Sequence, residues 1–464
     1  MEFRSFLDRT IPPSEALLSG LTENSVKRLL VPVLCTTICL LGFSLASVIS
    51  APLQDEKSER KSRAREDFEL MRLFAEVYEQ IDSRYVREVD RRELVDNAVR
   101  GMLKGLDPHS SWIPPQDLDR FEQYLGQEFI GIGIQVQLDD DVPKVLVALP
   151  GSPAWRSGIR PGDTLTSVDG TALEALDREQ IADLIRGPVG QQIEVVGRHA
   201  ETDETYTVKL TREKIQLETV TGVRRSDEGG WDWFLKPAEK VTYLRLSHFS
   251  RNSVDEFRSA LQQISDLQAG ALIIDLRSNP GGLIEAVVEM ADMLLDTGRI
   301  VSMKGRAVSE RVWEANKGME IPTEMKLVVL IDRQSASASE ILSAALQDHD
   351  RAVIVGERSF GKGSVQNVVK MEGGRSALKL TTARYFRPSG VNIHRFPDAD
   401  DDDEWGVRPD MEQDVHLADD IWQELRRDRD GHQGLSSAGD VAAVIARDPQ
   451  LQRALECINA MPQK

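Results

Sequence analysis

Ser335-Ala336-Ser337-Ala338-Ser339-Glu340 follows the aliphatic run Leu327–Ile331 and opens a stretch with helical spacing. A hydroxyl at such a strand-to-helix turn sits where unpaired N–H groups and the helix dipole can stabilise an oxyanion. The same letters also have a purely structural reading, because Ser337-x-x-Glu340 is a capping box and small residues permit tight packing. Lys362 lies 25 residues after Ser337, between Gly361 and Gly363. Buried there, its amine would lose solvation and its pKa would fall, leaving a neutral amine able to take a proton. Gln366 is four residues on. In a strand it shares a face with Lys362 and could orient the amine, or it is an exposed polar strand residue. Asn279-Pro280-Gly281-Gly282 ends another aliphatic run, and its double glycine leaves backbone N–H groups uncovered, in an oxyanion site or in an ordinary turn.

Other chemistries fit less well. Gly356 and Gly361-Lys362 approach a phosphate loop, but Gly363 stands where a magnesium-binding Ser or Thr belongs, and the β-branched Ser364–Lys370 follows where a helix should. None of the seven histidines has metal-ligand spacing, so no metal site is expected. His349 reads as a partner of a helix C-terminus. The acidic run Asp400–Glu404 lacks the spacing of a calcium loop and reads as a solvated insertion. Phe129-Ile130-Gly131-Ile132-Gly133-Ile134 is a glycine-punctuated loop entering a strand, whose N–H groups suit a peptide's terminal carboxylate. The peptide would then add to the strand and lie against the helix expected over 177–187.

These residues need a frame. Ala271–Leu276, Ile300–Met303, Leu327–Ile331 and Ala352–Val355 are apolar runs, and Leu283–Leu295 and Ser337–Leu346 have helical spacing. This is the alternation of a sheet covered on both faces. Short alternating strands fill 127–212 around one helix, with Asp177 as N-cap and Gln180 as its capping-box partner. Helical spacing also marks Leu70, Leu73, Phe74, Val77 and Ile81, then Leu94 to Leu106. Leu29–Ser50 has no charge over 22 residues. As a helix it would span roughly 33 Å, enough to cross a bilayer. The 28-residue lead before it favours an uncleaved signal anchor over a cleaved signal peptide. The charge-dense 53–66 reads as a linker or a helix extension. A net charge of −19 argues against nucleic-acid binding, and three cysteines exclude a disulfide framework.

Taken together, these segments resemble the carboxyl-terminal processing proteases, a family of tail-specific serine peptidases. The likeness runs over about residues 68–460. It is carried by Leu106-Asp107-Pro108-His109-Ser110-Ser111, by Ser152-Pro153-Ala154 through Gly158-Ile159-Arg160-Pro161-Gly162-Asp163, by Asp275–Gly282, by Ser335–Glu340 and by Phe360–Gln366. The resemblance implies an α/β (mixed α+β) fold: a ClpP/crotonase-like protease core with an inserted PDZ domain, preceded here by one N-terminal transmembrane helix. The expected organisation is a lead (1–28), an anchor (29–50), a charged linker (51–66), N-terminal protease helices (67–126), PDZ (127–212), protease core (213–430) and a C-terminal helical segment (431–464).

The resemblance further implies an endopeptidase acting near substrate C-termini through an acyl-enzyme. Ser337 would be the nucleophile, Lys362 the general base and Gln366 its positioner. Ala338 and one of Gly281 and Gly282 would supply the oxyanion N–H groups, and Ile130, Gly131, Ile132, Gly133 and Ile134 would capture the substrate tail. Tail binding would also shift the site toward its active arrangement. No cofactor is expected. Expected partners are proteins with free C-terminal tails and the membrane through 29–50, with the catalytic part in the periplasm; a homo-oligomer and an adaptor are both left open. The insertion Phe396–Glu404 is expected to lengthen a loop without touching the dyad. Two rivals are a non-catalytic PDZ scaffold and a nucleotide-binding enzyme using Gly356–Lys362.

Overall fold

The computed structural model describes residues 52–126, 128–139, 142–226, 230–316, 318, 320–431 and 441–462. The expected membrane segment 29–50 lies outside them, and among the described residues no helix is long and apolar enough to cross a membrane. The chain divides into two compact units between Val95 and Asp96.

In the first unit, Pro52–Arg84 is one helix of 33 residues. The charged stretch therefore extends the helix from Pro52 rather than forming a linker. Its Glu, Lys and Arg residues are good helix formers, and Arg72 pairs with Glu69 at 2.9 Å and Glu76 at 3.6 Å along the surface. Leu70, Leu73, Phe74 and Val77 make an exposed apolar stripe.

The second unit is built on a sheet with strand order Val220–Thr221, Val241–Leu246, Ala271–Asp275, Lys326–Ile331, Val353–Gly356. The last four are parallel. Alternate residues face opposite ways, and both ways are dry. Leu244, Leu272, Ile274, Val329 and Ile331 pack with the helices Ser253–Asp266, Ile284–Asp292 and Ala338–Asp348. Tyr243, Ile273, Val328 and Leu330 pack with the helix Pro449–Ala460. That double burial is why these strands read as unbroken apolar runs. Their carboxyl ends carry Leu276–Gly282, Asp332–Ser337 and Glu357–Gly363, the place where open α/β sheets put their chemistry.

Gly298–Lys304, which contains Ile300–Met303, belongs instead to an antiparallel sheet with Arg311–Ala315, Ser376–Phe386, Ser111–Ile113 and Ser364–Met371. A third sheet has the order Ile134–Asp139, Val142–Ala148, Thr164–Val168, Gln192–Arg198, Thr205–Thr211. Its helix Arg178–Ile185 starts from the Asp177–Gln180 capping box and buries Ile181 and Ile185 in a separate core with Ile132, Val145 and Leu165. The expected strand 131–136 is broken in two by a turn at Ile132–Gly133, with Gly133 at φ +82°. The part before the turn, Glu128–Gly131, pairs with Glu213–Gln216.

Candidate active site

Ser337 is the N-cap of the helix Ala338–Asp348 and sits at φ +57°, ψ −110°. An L-residue held there is strained by about 1–3 kcal/mol, so its surroundings must fix it. They do so from two sides. The Asn279 carbonyl accepts from Ala336 N–H (3.0 Å) and Ser339 Oγ (2.9 Å). The Glu340 carboxylate accepts from Ser337 N–H at 2.7 Å. Asp332 and Ser335 brace the approach, with Asp332 N–H donating to Ser335 Oγ and Ser335 Oγ donating to the Leu276 carbonyl, both at 2.9 Å.

Glu340 also reaches the other element of the site. Its Oε1 accepts from Ser359 Oγ and Gly361 N–H, both at 2.6 Å, and its Oε2 from Lys362 N–H at 2.8 Å. One carboxylate with no solvent exposure thus holds the backbones of Ser337 and Lys362 together. Burial pushes its pKa up to about 7, against the pull of the four donors.

Lys362 is half-buried. Burial and then the charge of Lys379 lower its pKa, with Glu340 opposing them. Among the described residues its amine makes no hydrogen bond, to Ser337 or to Gln366. Gln366 Nε2 instead donates to Ser364 Oγ (2.9 Å) and Thr381 Oγ1 (3.4 Å). The shared-face expectation assumed a regular strand from Lys362. The strand starts only at Ser364, and its register shifts between Val365 and Gln366, which re-aims the side chains.

Of the two glycines, Gly281 abuts the Ser337 turn: a Cβ there would lie 2.6 Å from the Ala336 carbonyl oxygen and 2.8 Å from Ala338 N. Its own N–H donates to Asn279 Oδ1 at 2.9 Å. Gly282 is pressed on the Phe249 backbone, where a Cβ would lie 2.0 Å from the carbonyl oxygen. Among the described residues, no acceptor takes the N–H of Ala338 or of Gly282.

Three features escaped the sequence reading. His109 lies near Lys362, and burial followed by the lysine's charge holds its pKa down. The turn that carries it is tied to the Ser376–Phe386 strand by Thr381 N–H donating to Ser110 Oγ (3.1 Å). The Phe396–Glu404 insertion does bear on the segment that carries Lys362. Arg358 donates to the carbonyls of Asp401 and Asp403 and lies 3.4 Å over the Trp405 ring, and that ring packs on Gly361. Finally, Arg277 is fully buried between Asp275 (2.7 Å) and Asp448 (2.8 Å). It joins the Leu276–Gly282 loop to the C-terminal helix.

The loop expected to bind the tail divides in two. Ile132 is buried in the PDZ core, and Gly133 admits no side chain, since a Cβ would lie 2.2 Å from Ser152 Cβ. Ile130, Gly131 and Ile134 line a groove of about 280 Å³ beside the helix Arg178–Ile185.

Residues 240–413 match the model of peptidase family S41, 144–197 a PDZ domain and 41–116 the N-terminal domain of the activating protease CtpB. A carboxy-terminal-processing protease of Bartonella bacilliformis is 33% identical over 392 residues, covering 81% of this chain and 84% of that protein. The chain belongs to peptidase family S41. This S41 peptidase is also 35% identical to the chloroplastic C-terminal processing peptidase of Tetradesmus obliquus, over 71% of the chain and 70% of the relative. Among solved structures, a photosystem II D1 C-terminal processing protease matches at 31% identity and a TM-score of 0.42, over 74% of this chain and 92% of that one. The chain is thus a serine-type carboxyl-terminal processing endopeptidase with a PDZ domain, and its substrates are proteins with C-terminal tails.

Proposed function

We propose that Ser337 and Lys362 form the catalytic dyad of this peptidase. The neutral Lys362 amine takes the Ser337 proton, Oγ attacks the peptide carbonyl, and the lysine returns the proton to the leaving amine. Water then hydrolyses the acyl-enzyme. Ala338 N–H and one N–H of the Gly281–Gly282 pair hold the oxyanion, and Gly282 has the uncommitted donor. The observation that carries this reading is the Glu340 carboxylate, which binds the N–H groups of Ser337 and Lys362 at once. Gln366, now bonded to Ser364 and Thr381, would turn to the amine in the active arrangement, and a tail bound to the loop 130–134 would favour that arrangement. The core around the dyad is read as ClpP/crotonase-like. Residues 29–50 anchor the enzyme in a membrane, with the catalytic part on the periplasmic side, and the exposed stripe Leu70–Val77 offers a surface for a second copy.

A serine-directed acylating probe, followed by mapping of the modified residue, tests the dyad. Label on Ser337 that disappears in Lys362→Arg is expected, because guanidinium stays charged near neutral pH. Label elsewhere, or normal turnover by Ser337→Ala, overturns the assignment. A reporter fused after residue 66 tests the topology.

A further inference from the structure

The PDZ groove carries a charge pattern that peptide hydrolysis does not use. Ile134–Asp139 is the outermost strand on its side of the PDZ sheet, so a row of its backbone groups is open to one more strand. The groove beside it has an apolar lining from Ile134, Val136, Val147, Ala182 and Ile185. Its charged lining is one-sided: Arg178 and Arg186 contribute to it and no Asp or Glu does, in a chain whose net charge is −19.

Arg178 shares a face of the groove helix with Ala182 and Ile185 by the spacing 178, 182, 185, and Arg186 is the helix's C-cap, in extended backbone. Asp183 pairs with Arg186 at 3.3 Å, with both side chains exposed. Arg178 makes no ion pair or hydrogen bond among the described residues. The terminal carboxylate of a tail has its own candidate seat in the glycine loop at 131–133, which leaves the arginines for side chains further upstream.

We infer that, among tails whose aliphatic end seats in this groove, the groove selects those that carry carboxylate side chains in the few positions before that end. The aliphatic end fills the apolar lining, the tail pairs with Ile134–Asp139 as an added strand, and Arg178 and Arg186 meet its acids. The inference rests on tail capture by the PDZ domain and names the chemistry of the tail captured. Exposed arginine–carboxylate contacts of this kind change affinity by about two- to five-fold each, and less in high salt.

The test uses the full chain carrying Ser337→Ala, so that peptides bind without being cut. Fluorescent ten-residue peptides ending in valine carry two Glu, two Gln or two Lys in the four positions before it, and a fourth peptide is the Glu version with an amidated end. Binding is followed by anisotropy in low salt and in 0.5 M NaCl. The expected order is Glu tighter than Gln tighter than Lys, with the gap shrinking in high salt and closing in Arg178→Gln/Arg186→Gln. Equal affinities for the three acid-ended peptides, or a gap that survives both substitutions, overturn the inference while tail capture stands. Equal binding of the amidated and free peptides, or no binding at all, overturns tail capture itself.

Discussion

Replacing Glu340 with Gln isolates the contribution of the clamp. Each carboxylate oxygen accepts two donors: Ser359 Oγ and Gly361 N–H on one, Ser337 N–H and Lys362 N–H on the other. An amide keeps only one oxygen. If its NH₂ takes the Ser359 side, the hydroxyl can turn to accept, but Gly361 N–H loses its acceptor. If it takes the other side, the N–H groups of Ser337 and Lys362 are both stranded. Each buried N–H left unpaired costs about 1–3 kcal/mol, and in the second orientation Ser337 also loses one of the bonds that fix its φ of +57°. If about 3 kcal/mol of that falls on the transition state, kcat drops roughly a hundredfold. KM and tail-peptide affinity should hold, since the PDZ groove is untouched.

The substitution also has a pH signature. The folded pKa of Glu340, about 7, lies above the ordinary 4.5. The folded chain therefore keeps a proton that the unfolded chain has released. The stability this gives is complete below pH 4.5 and is lost as pH rises to about 7, a change of roughly 3 kcal/mol. Glu340→Gln removes that slope, so its stability relative to wild type improves across the same interval. Steady-state kinetics on a tail-bearing fluorogenic substrate and urea unfolding at several pH values read both effects. A variant with kcat within threefold of wild type would falsify the clamp.

Lys362→Met should abolish cleavage and leave the fold intact. Because the folded pKa of Lys362 is depressed, wild-type stability rises with pH between that lowered value and the ordinary 10.5, and the variant should lack this rise in alkaline urea titrations. Arg277→Met strands the buried carboxylates of Asp275 and Asp448. It should lose roughly 3–5 kcal/mol in urea unfolding and expose the helix Pro449–Ala460 to limited proteolysis; a loss under 1 kcal/mol would count against a structural role for the pair. Gly133→Ala forces a Cβ to 2.2 Å from Ser152 Cβ at a φ of +82°. Tail-peptide affinity should fall at least tenfold while the acylating probe still labels Ser337, and unchanged affinity would remove the loop from the binding site.

Much of the frame was legible because it is written in local pattern. Strands buried on both faces must be apolar throughout, so 271–276, 327–331 and 352–355 declared themselves, and the Asp177–Gln180 capping box placed the groove helix to within two residues. Ile300–Met303 shows the limit of such a signal. It is as apolar as the others, but pairing partners are not encoded in one strand's composition, and it joins a different sheet. The shared face expected for Lys362 and Gln366 failed for a geometric reason: period-two reasoning does not survive a register shift beside Gln366. The charged 53–66 was ambiguous because solvated linkers and surface helices use the same residues.

Glu340 was hidden by having a sufficient local explanation. As the fourth residue of Ser337-x-x-Glu340 it satisfies the capping box through Ser337 N–H, and nothing nearby says that it also gathers donors from 359, 361 and 362. Arg277 was hidden by distance, since its partner Asp448 is 171 residues away. Both omissions concern buried ionisable groups, whose environment is supplied by remote segments. Asn279 completes the same pattern: its carbonyl holds the Ser337 turn, its Oδ1 holds Gly281 N–H and its Nδ2 donates to the Leu246 carbonyl at 2.8 Å. The serine turn is therefore bound to the glycine pair through Asn279 and to the lysine segment through Glu340. Neither glycine pair nor lysine segment can shift without drawing on the bonds that keep Ser337 at positive φ, so the strain at the serine is shared by all three loops at the carboxyl ends of the sheet.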